Sequence, residues 1–205
     1  DIDYKLVQNS RIFHFGSLSM TGEICEAATK KAVETAKESG AIISFDPNLR
    51  ENLWDSLDKA REKIAYGISE CDILKISDNE IQWFTGEQDF DRAVEILRGR
   101  YGNIKLLLLS LGKNGSRAYC GENSAFAPAA SANTIETTGA GDTFCGGILA
   151  KALKYGFRNY SAEELTGILN YANSAAGIVT ERRGALKVMP SPAEINERME
   201  RITND

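Results

Sequence analysis

Short apolar runs alternate with amphipathic stretches along the first half of the chain. Runs of four or five mostly apolar residues favour buried strands, and stretches whose apolar positions recur every three or four residues indicate helices. The predicted strands are residues 11–15, 41–45, 73–76 and 106–109. Four helices are predicted between these strands. The first lies within 21–39, is capped by Gly40 and has the apolar stripe Ile24, Ala28, Ala32 and Ala36. The second has the stripe Leu57, Ala60, Ile64 and Ile68, a short third runs from Ser77 to near Gly86, and the fourth has the stripe Phe90, Ala93, Val94, Leu97 and Tyr101.

The pattern changes in the second half of the chain. Two short apolar pieces, 117–119 and 125–127, flank the polar segment 121–124, which predicts an antiparallel hairpin at one edge of the sheet. Helices are predicted at 140–154, 162–180 and 192–202. Continuously apolar strands are typical of a parallel sheet that helices cover on both faces. We therefore predict an α/β fold, a doubly wound and mostly parallel sheet flanked by helices, in a single domain of residues 1–205.

The charge balance excludes some classes of partner. The 205 residues include 24 Lys and Arg against 29 Asp and Glu, a net charge of −5. An acidic chain has no general affinity for nucleic acid or for anionic membranes. No apolar run approaches the roughly 20 residues of a membrane span, and no basic region followed by an apolar stretch opens the chain. We expect a soluble, cytoplasmic protein that binds neither nucleic acid nor membrane.

The cysteines and the single histidine do not predict a reactive centre. Cys25, Cys71, Cys120 and Cys145 lie far apart without a Cys-x-x-Cys pair, so buried thiols are expected rather than disulfides or zinc ligands. His14 lies in an apolar strand-like run, which favours a packed or hydrogen-bonded core histidine over a catalyst.

The segment 137–144, Thr-Thr-Gly-Ala-Gly-Asp-Thr-Phe, opens a predicted helix and carries the most chemistry. Gly139 and Gly141 let successive backbone N–H groups converge at the positive end of the helix dipole, which favours an anion. Asp142 would repel a bound phosphate unless a phosphate acceptor lies between them, and a carboxylate there can take the acceptor's proton. The alternative is that the glycines shape a loop and Asp142 caps the helix. Dinucleotide-binding and P-loop fingerprints are both absent.

This segment resembles the second signature of the ribokinase-like, phosphofructokinase-B-type carbohydrate kinases. Further segments are similar to the fructokinase branch of that family: Phe-Asp-Pro-Asn-Leu-Arg at 45–50 followed by Leu53 and Trp54, and the stretches 13–19, 75–80 and 170–176. The resemblance implies that Asp142 is the general base and that Gly139, Ala140 and Gly141 form the anion hole. It also implies ATP contacts at Ser110, Gly112, Gly115, Asn173 and Lys75, and phosphate or substrate contacts at Asn48 and Arg50.

Several of the implied positions have a structural alternative. The turn 110–115 is also an ordinary strand-to-hairpin connection, Asn173 also suits tight helix packing, and Arg50 also suits a solvated loop. Each of these alternatives is left open by the sequence.

The implied metal sites depart from the family pattern. The magnesium element falls on Asn79 and Glu80, with Gln82 at a position that many members fill with Glu. A monovalent-cation site is implied at Glu136, Thr138 and Gly184, but Glu136 replaces the usual Asp, and one extra methylene shifts the carboxylate. ATP and Mg²⁺ are therefore expected, and a requirement for K⁺ is left open.

The resemblance also implies a missing N-terminal part, which would carry the first signature, most of the sugar pocket and a small lid. We therefore expect the parent protein to be the kinase and this chain alone to have little activity. We expect the parent protein to be a homodimer and this chain to expose an apolar sheet edge. The leading function is an ATP-dependent sugar kinase that converts D-fructose to fructose 6-phosphate. The alternatives are a 2-keto-3-deoxygluconate kinase or another sugar kinase of the family, and a non-catalytic kinase-like module.

Overall fold

The computed structural model describes residues 2–130 and 132–204. The strands are β1 (Ile12–Gly16), β2 (Ile42–Asp46), β3 (Ile73–Ser77), β4 (Leu106–Ser110), β5 (Ser116–Cys120) and β6 (Asn123–Ala127). The helices are α1 (Tyr4–Gln8), α2 (Glu23–Glu38), α3 (Leu57–Glu70), α4 (Asp78–Thr85), α5 (Phe90–Arg100), α6 (Ala140–Tyr155), α7 (Ala162–Thr180) and α8 (Pro192–Asn204). Strands β1 and β2 are displaced by one residue from the predicted ranges, and the helix predicted at 162–180 has those bounds.

The six strands form one sheet in the order β1-β2-β3-β4-β5-β6. Strand β1 pairs parallel with β2, with Phe15 opposite Phe45, and β2 pairs parallel with β3. Strands β5 and β6 form an antiparallel hairpin at one end of the strand order, where the sequence predicts it. The prediction of an α/β fold with a mostly parallel sheet is confirmed.

The chain divides into two compact units, with the boundary between Leu108 and Leu109. In the first unit, α2 packs against β1 and β2, and α3 packs against β2. Its core contains fully buried side chains from strands and helices, because apolar residues occupy both faces of the central strands. These include Phe45, Ile64, Ile68, Ile73 and Leu74.

In the second unit α7 is the central helix. It packs against α6, against the β5–β6 hairpin and against α8. Because neighbouring elements surround it, α7 buries eleven of its residues, among them Leu165, Leu169 and Ala172. The small side chains of α6 and α7 allow this packing: a Cβ on Gly147 would lie 3.2 Å from the Cα of Ala172.

Two predicted core positions are wrong. Ile24, placed on the apolar stripe of α2, is 88% exposed, and the buried residues of this helix are Thr29, Ala32, Val33 and Ala36. Ala32 and Ala36 of the predicted stripe are buried, but positions four residues apart drift around a helix by about 40° per step, so Ile24 falls outside the buried face. Leu57 is exposed because α3 begins at this residue, after its N-cap Ser56.

Cys71, Cys120 and Cys145 are buried free thiols, as predicted, but Cys25 is exposed because it lies in the first turn of α2, outside the buried face. His14 is hydrogen-bonded, through Nδ1 to the hydroxyl of Ser44 at 3.0 Å. It is nevertheless exposed rather than in the core, because side chains alternate along β1 and Phe15 takes the buried position. Among the described residues, no helix is both long and apolar enough to cross a membrane.

Candidate active site

The predicted site residues fall in both units. Asn48, Arg50, Lys75, Asn79 and Glu80 belong to the first unit, and the remaining ones, from Ser110 to Gly184, belong to the second. The residues of each unit are described separately.

The start of α6 has the backbone geometry that the predicted anion cradle requires. Gly139 is the N-cap with φ 80°, a left-handed conformation that favours glycine. The Ala140 N–H donates to the carbonyl of Thr137 at 3.2 Å, and the Thr143 N–H donates to the carbonyl of Gly139 at 2.9 Å. Within the described part of the chain, the N–H groups of Gly141 and Asp142 have no hydrogen-bond partner. Two adjacent free amides at a helix N-terminus suit an anion.

Asp142 lies in the first turn of α6, next to these free amides, and its side chain is exposed. No hydrogen bond or ion pair engages its carboxylate among the residues that the structure describes. An exposed carboxylate without a protein partner is free to accept a proton from a bound hydroxyl. The capping alternative is not what the structure shows, because Gly139 is the N-cap and no side chain caps this helix.

Thr143 is a neighbour that the sequence reasoning did not single out. Its hydroxyl is buried and, within residues 2–130 and 132–204, has no hydrogen-bond partner. A buried hydroxyl without a partner costs about 1–3 kcal/mol. The first turn of α6 therefore carries polar groups that the described chain leaves unsatisfied.

The three residues implied for a monovalent cation lie together. The carboxylate of Glu136 accepts the backbone N–H of Gly184 at 3.1 Å, and the hydroxyl of Thr138 also donates to it. The Thr138 hydroxyl, the Gly184 N–H and the nearby Arg183 hold the pKa of Glu136 below its ordinary value. The carboxylate thus joins the segment before α6 to the segment after α7 through protein donors.

Ser110, Gly112 and Gly115 form a tight turn after β4. The Leu111 N–H donates to the carbonyl of Gly115 at 2.9 Å, and the Gly115 N–H donates to the carbonyl of Gly112 at 3.2 Å. Gly115 has φ 103°, and a Cβ there would lie 2.2 Å from the carbonyl oxygen of Ala127. This geometry accounts for the glycines by backbone packing, and a nucleotide contact remains a prediction.

Asn173 is buried and fully engaged. Its Oδ1 accepts the hydroxyl of Ser116 at 2.9 Å, and its Nδ2 donates to the carbonyls of Ala127 and Pro128 at 3.2 and 2.9 Å. The side chain therefore fastens α7 to the β5–β6 hairpin. These hydrogen bonds account for the burial of Asn173 by packing within the second unit, and a nucleotide contact remains a prediction.

In the first unit, the turn after β2 carries Asn48 and Arg50. Asn48 has φ 47°, an unusual conformation for a residue other than glycine. Arg50 is exposed, and its guanidinium donates to the carbonyl of Leu49 at 3.0 Å. An exposed guanidinium next to a constrained turn can bind phosphate through two parallel hydrogen bonds.

Lys75 forms a buried ion pair with Asp46, at 2.9 Å between Nζ and Oδ2. Asp46 ends β2 and Lys75 lies within the paired strand β3, so the parallel pairing brings the two side chains together. The sequence reasoning did not name Asp46. The signal was available: a lysine inside an apolar strand needs a buried partner of opposite charge.

Glu80 is nearly buried, and both of its carboxylate oxygens accept protein hydrogen bonds. Oε1 accepts the Leu49 N–H at 2.8 Å, and Oε2 accepts the N–H and the hydroxyl of Ser77, each at 2.8 Å. Asn79 is exposed, and the Gln82 amide donates to the carbonyl of Gln88 at 3.0 Å.

This arrangement does not fit a magnesium site built from Asn79 and Glu80. Three protein donors already surround the one carboxylate, and Mg²⁺ requires oxygen ligands in a near-octahedral set. No group of three or more His, Cys, Asp or Glu side chains suited to a metal occurs in the described part of the chain.

An α/β sheet with a glycine-capped helix start beside an exposed carboxylate is the arrangement that the family resemblance predicts. Residues 2–192 match the pfkB family of carbohydrate kinases, and the chain belongs to that family.

Named relatives are fructokinases and related kinases. Fructokinase-1 of Zea mays is 34% identical over 201 residues, which is 98% of this chain and 62% of the relative. The crystal structure of fructokinase from Vibrio cholerae O395 with fructose, ADP and calcium superposes with a TM-score of 0.83 at 25% identity, covering 92% of this chain and 60% of that one. Aminoimidazole riboside kinase from Salmonella enterica, complexed with aminoimidazole riboside and an ATP analogue, has a TM-score of 0.80 at 27% identity over 92% and 62%. The chain thus spans about 60% of the length of these relatives.

Proposed function

We propose that this protein transfers the γ-phosphoryl group of ATP to a hydroxyl of a sugar, with D-fructose as the first candidate. The observation that carries the proposal is the first turn of α6, where the exposed Asp142 carboxylate lies beside the free amides of Gly141 and Asp142. A proton acceptor and an anion site in one turn are what hydroxyl phosphorylation needs.

In the proposed reaction the sugar hydroxyl oxygen bonds to the γ-phosphorus while the bond from that phosphorus to the β–γ bridging oxygen breaks. The hydroxyl proton passes to Asp142, and ADP leaves. Phosphoryl transfer has a loose transition state, so a weak carboxylate base is sufficient and charge stabilisation does most of the work. The backbone amides of the cradle supply that stabilisation without reorganising.

The other predicted contacts are proposed on the same basis. Arg50 and Asn48 would face phosphate or sugar, and the turn 110–115 would approach the nucleotide. Lys75 and Asn173 support the site indirectly in this proposal, because Asp46 and the hairpin already engage their polar groups.

ATP would be supplied with Mg²⁺, which neutralises phosphate charge when it is bound. The proposal does not include a requirement for K⁺. A double mutant of the Vibrio cholerae fructokinase was crystallised with fructose, ADP and potassium ion. In this chain the Glu136 carboxylate already accepts two protein hydrogen bonds, so its charge is satisfied without a cation.

The identity of the sugar rests on the relatives. Fructose is named for the Vibrio cholerae enzyme and aminoimidazole riboside for the Salmonella enterica enzyme, so both belong among the substrates tested. The 2-keto-3-deoxygluconate alternative rests on the Asp-Pro-Asn-x-Arg element of residues 46–50.

The test is coupled ADP release by the purified protein with Mg²⁺-ATP and, in parallel, fructose, ribose, adenosine, aminoimidazole riboside and 2-keto-3-deoxygluconate. Asp142→Asn should lower kcat by about 10²–10⁴-fold, because the amide cannot accept the proton, while ATP affinity stays within about twofold. Asp58→Asn is the matched control, since Asp58 is an exposed first-turn carboxylate of α3. It should leave kcat unchanged.

Normal turnover by Asp142→Asn would show that Asp142 is not the general base. Phosphorylation of another sugar in preference to fructose would correct the substrate and leave the reaction class intact. Because the implied N-terminal part would carry most of the sugar pocket, residues 1–205 are assayed beside the longer parent protein. A parent protein that phosphorylates none of the five would favour the non-catalytic module.

A further inference from the structure

The turn that follows β2, residues 46–50, is held by an ion pair and hydrogen bonds from side chains of three other segments of the first unit. Asp46 pairs with the buried Lys75 of β3. The carbonyl of Pro47 accepts both the N–H and the hydroxyl of Ser17, which is fully buried. The Leu49 N–H donates to Glu80. We call residues 46–50 the β2 turn.

Two polar side chains of the β2 turn are not used by these contacts, the half-buried Asn48 and the exposed Arg50. The Asn48 side-chain amide has no hydrogen-bond partner among the residues that the structure describes, and Asn48 is held at φ 47°. The Arg50 guanidinium is exposed and bonds only to the carbonyl of Leu49 within the described chain. A left-handed conformation at a residue other than glycine persists only where its surroundings enforce it. The β2 turn is therefore a preorganised turn that presents an amide and a guanidinium.

Glu80 has a central place in this arrangement. It is the third residue of α4, where its Oε2 completes a capping box with Ser77. A capping box needs only one carboxylate oxygen, and Glu80 uses the second to hold the β2 turn through Leu49. One side chain thus joins the start of α4 to a turn 31 residues earlier in the chain.

We infer that Glu80 is a positioning residue, which holds the β2 turn so that Arg50 and Asn48 bind the phosphate chain of a nucleotide, and that it is not a ligand of Mg²⁺. The inference rests on the proposed function for the identity of the phosphate ligand. It follows from the three protein donors that already occupy both oxygens of the carboxylate.

The first experiment measures backbone amide hydrogen exchange at Leu49 by NMR, which does not depend on catalysis. Glu80→Ala should speed exchange at Leu49 by about tenfold or more, because a hydrogen bond to a charged acceptor is lost. Glu80→Gln keeps a side-chain oxygen and should retain most of the protection. Ser77→Ala is the matched control, since it removes a capping partner and leaves the bond to Leu49. If Glu80→Ala does not fold, Glu80→Asp, one methylene shorter, takes its place.

The second experiment measures binding of tripolyphosphate, once in EDTA and once with Mg²⁺. In EDTA, Glu80→Ala and Arg50→Ala should each weaken binding by about tenfold, and the double variant should be no weaker than either single variant, because both changes remove the same contact. Glu80→Gln should bind within about threefold of the natural protein under both conditions.

Three results would overturn the inference. If Glu80→Ala weakens tripolyphosphate binding only when Mg²⁺ is present, Glu80 acts through the metal ion. Glu80→Gln that keeps the exchange protection of Leu49 and yet binds tripolyphosphate as weakly as Glu80→Ala would show that the charge matters rather than the bond to Leu49. If tripolyphosphate does not bind the natural protein, the β2 turn does not bind a phosphate chain. In that last case, turnover of fructose would show that the proposed function stands while this inference fails, and no turnover would show that both fail.

Discussion

At the scale of single residues, Gly115 shows how the backbone of the turn after β4 restricts the sequence. Its φ of 103° is rare for residues with a side chain, and a Cβ would lie 2.2 Å from the Ala127 carbonyl oxygen and 2.8 Å from the Pro128 Cα. Both neighbours are backbone atoms, so neither can rotate away. We expect Gly115→Ala to lower the free energy of unfolding by about 2–4 kcal/mol, as measured by chemical denaturation.

The control for this prediction is Gly99→Ala. Gly99 lies in α5, and a Cβ there has open space. Alanine is about 0.5–1 kcal/mol better than glycine inside a helix, so this variant should be slightly more stable than the natural protein. If the two substitutions had equal effects, the steric account of Gly115 would be wrong.

Residue chemistry was predictable where its cause is local. The conformation of Gly139 and the free amides after it follow from a glycine before a helix, and 137–144 displays that pattern. The sequence indicates that the buried Lys75 needs an acidic partner but not which one. The distant partners of Lys75, Glu80 and Asn173 lie 29, 31 and up to 57 residues away in the chain. Sequence spacing carries no information on contacts that depend on strand register.

At the scale of elements, the start of α7 is stabilised by charge. Ser161 and Glu164 form a capping box, and Arg158 donates to the Glu164 carboxylate. The hydrogen bond from Arg158 first, and then the bonds from Ser161, lower the pKa of Glu164 to about 2 from an ordinary 4.5. A lowered pKa in the folded state means that the contribution to stability is present above pH 4.5 and is lost as the pH falls towards 2.

The corresponding prediction concerns the pH dependence of unfolding. The difference in unfolding free energy between the natural protein and Glu164→Gln should be constant above about pH 5 and should shrink as the pH falls towards 2. Denaturant titrations at several pH values measure it, and NMR titration of the Glu164 carboxyl checks its pKa. Glu163→Gln, at the neighbouring first-turn position, is the control. A Glu164 carboxyl that titrates near 4.5 would refute the prediction.

Elements were predicted well because the signals that define them are short-range. Ser161 begins α7 and Gly86, with φ 77°, ends α4, and the sequence indicates both. The stripe predicted for α2 is correct at Ala32 and Ala36 and wrong at Ile24, because the face that is buried depends on what packs against the helix. The buried face of a helix is decided by its neighbours.

At the scale of the whole molecule, the predicted single domain has a measurable consequence. The boundary between the two compact units lies between Leu108 and Leu109, inside β4 (Leu106–Ser110). A strand shared by both units cannot be ordered in one and unfolded in the other. We therefore expect one cooperative unfolding transition.

Two probes separate the units in this experiment. Both tryptophans, Trp54 and Trp83, belong to the first unit, so their fluorescence reports on it alone. Far-UV circular dichroism also includes the long helices α6 and α7 of the second unit. The midpoints and slopes of the two denaturation curves should coincide. Separate midpoints would mean that the chain is two folding units.

The sequence by itself determined the class of fold, the order and type of the elements from β1 onwards, the family and the position of the glycine-capped helix start. Periodicity, capping residues and glycines act over a few residues. The tertiary structure decided which polar groups are already engaged. Parallel pairing of β2 with β3 brings Asp46 to Lys75, and the position of α4 brings Glu80 to Leu49. Those contacts join distant segments, and a hydrogen bond exists only once packing has placed its donor and acceptor within about 3 Å.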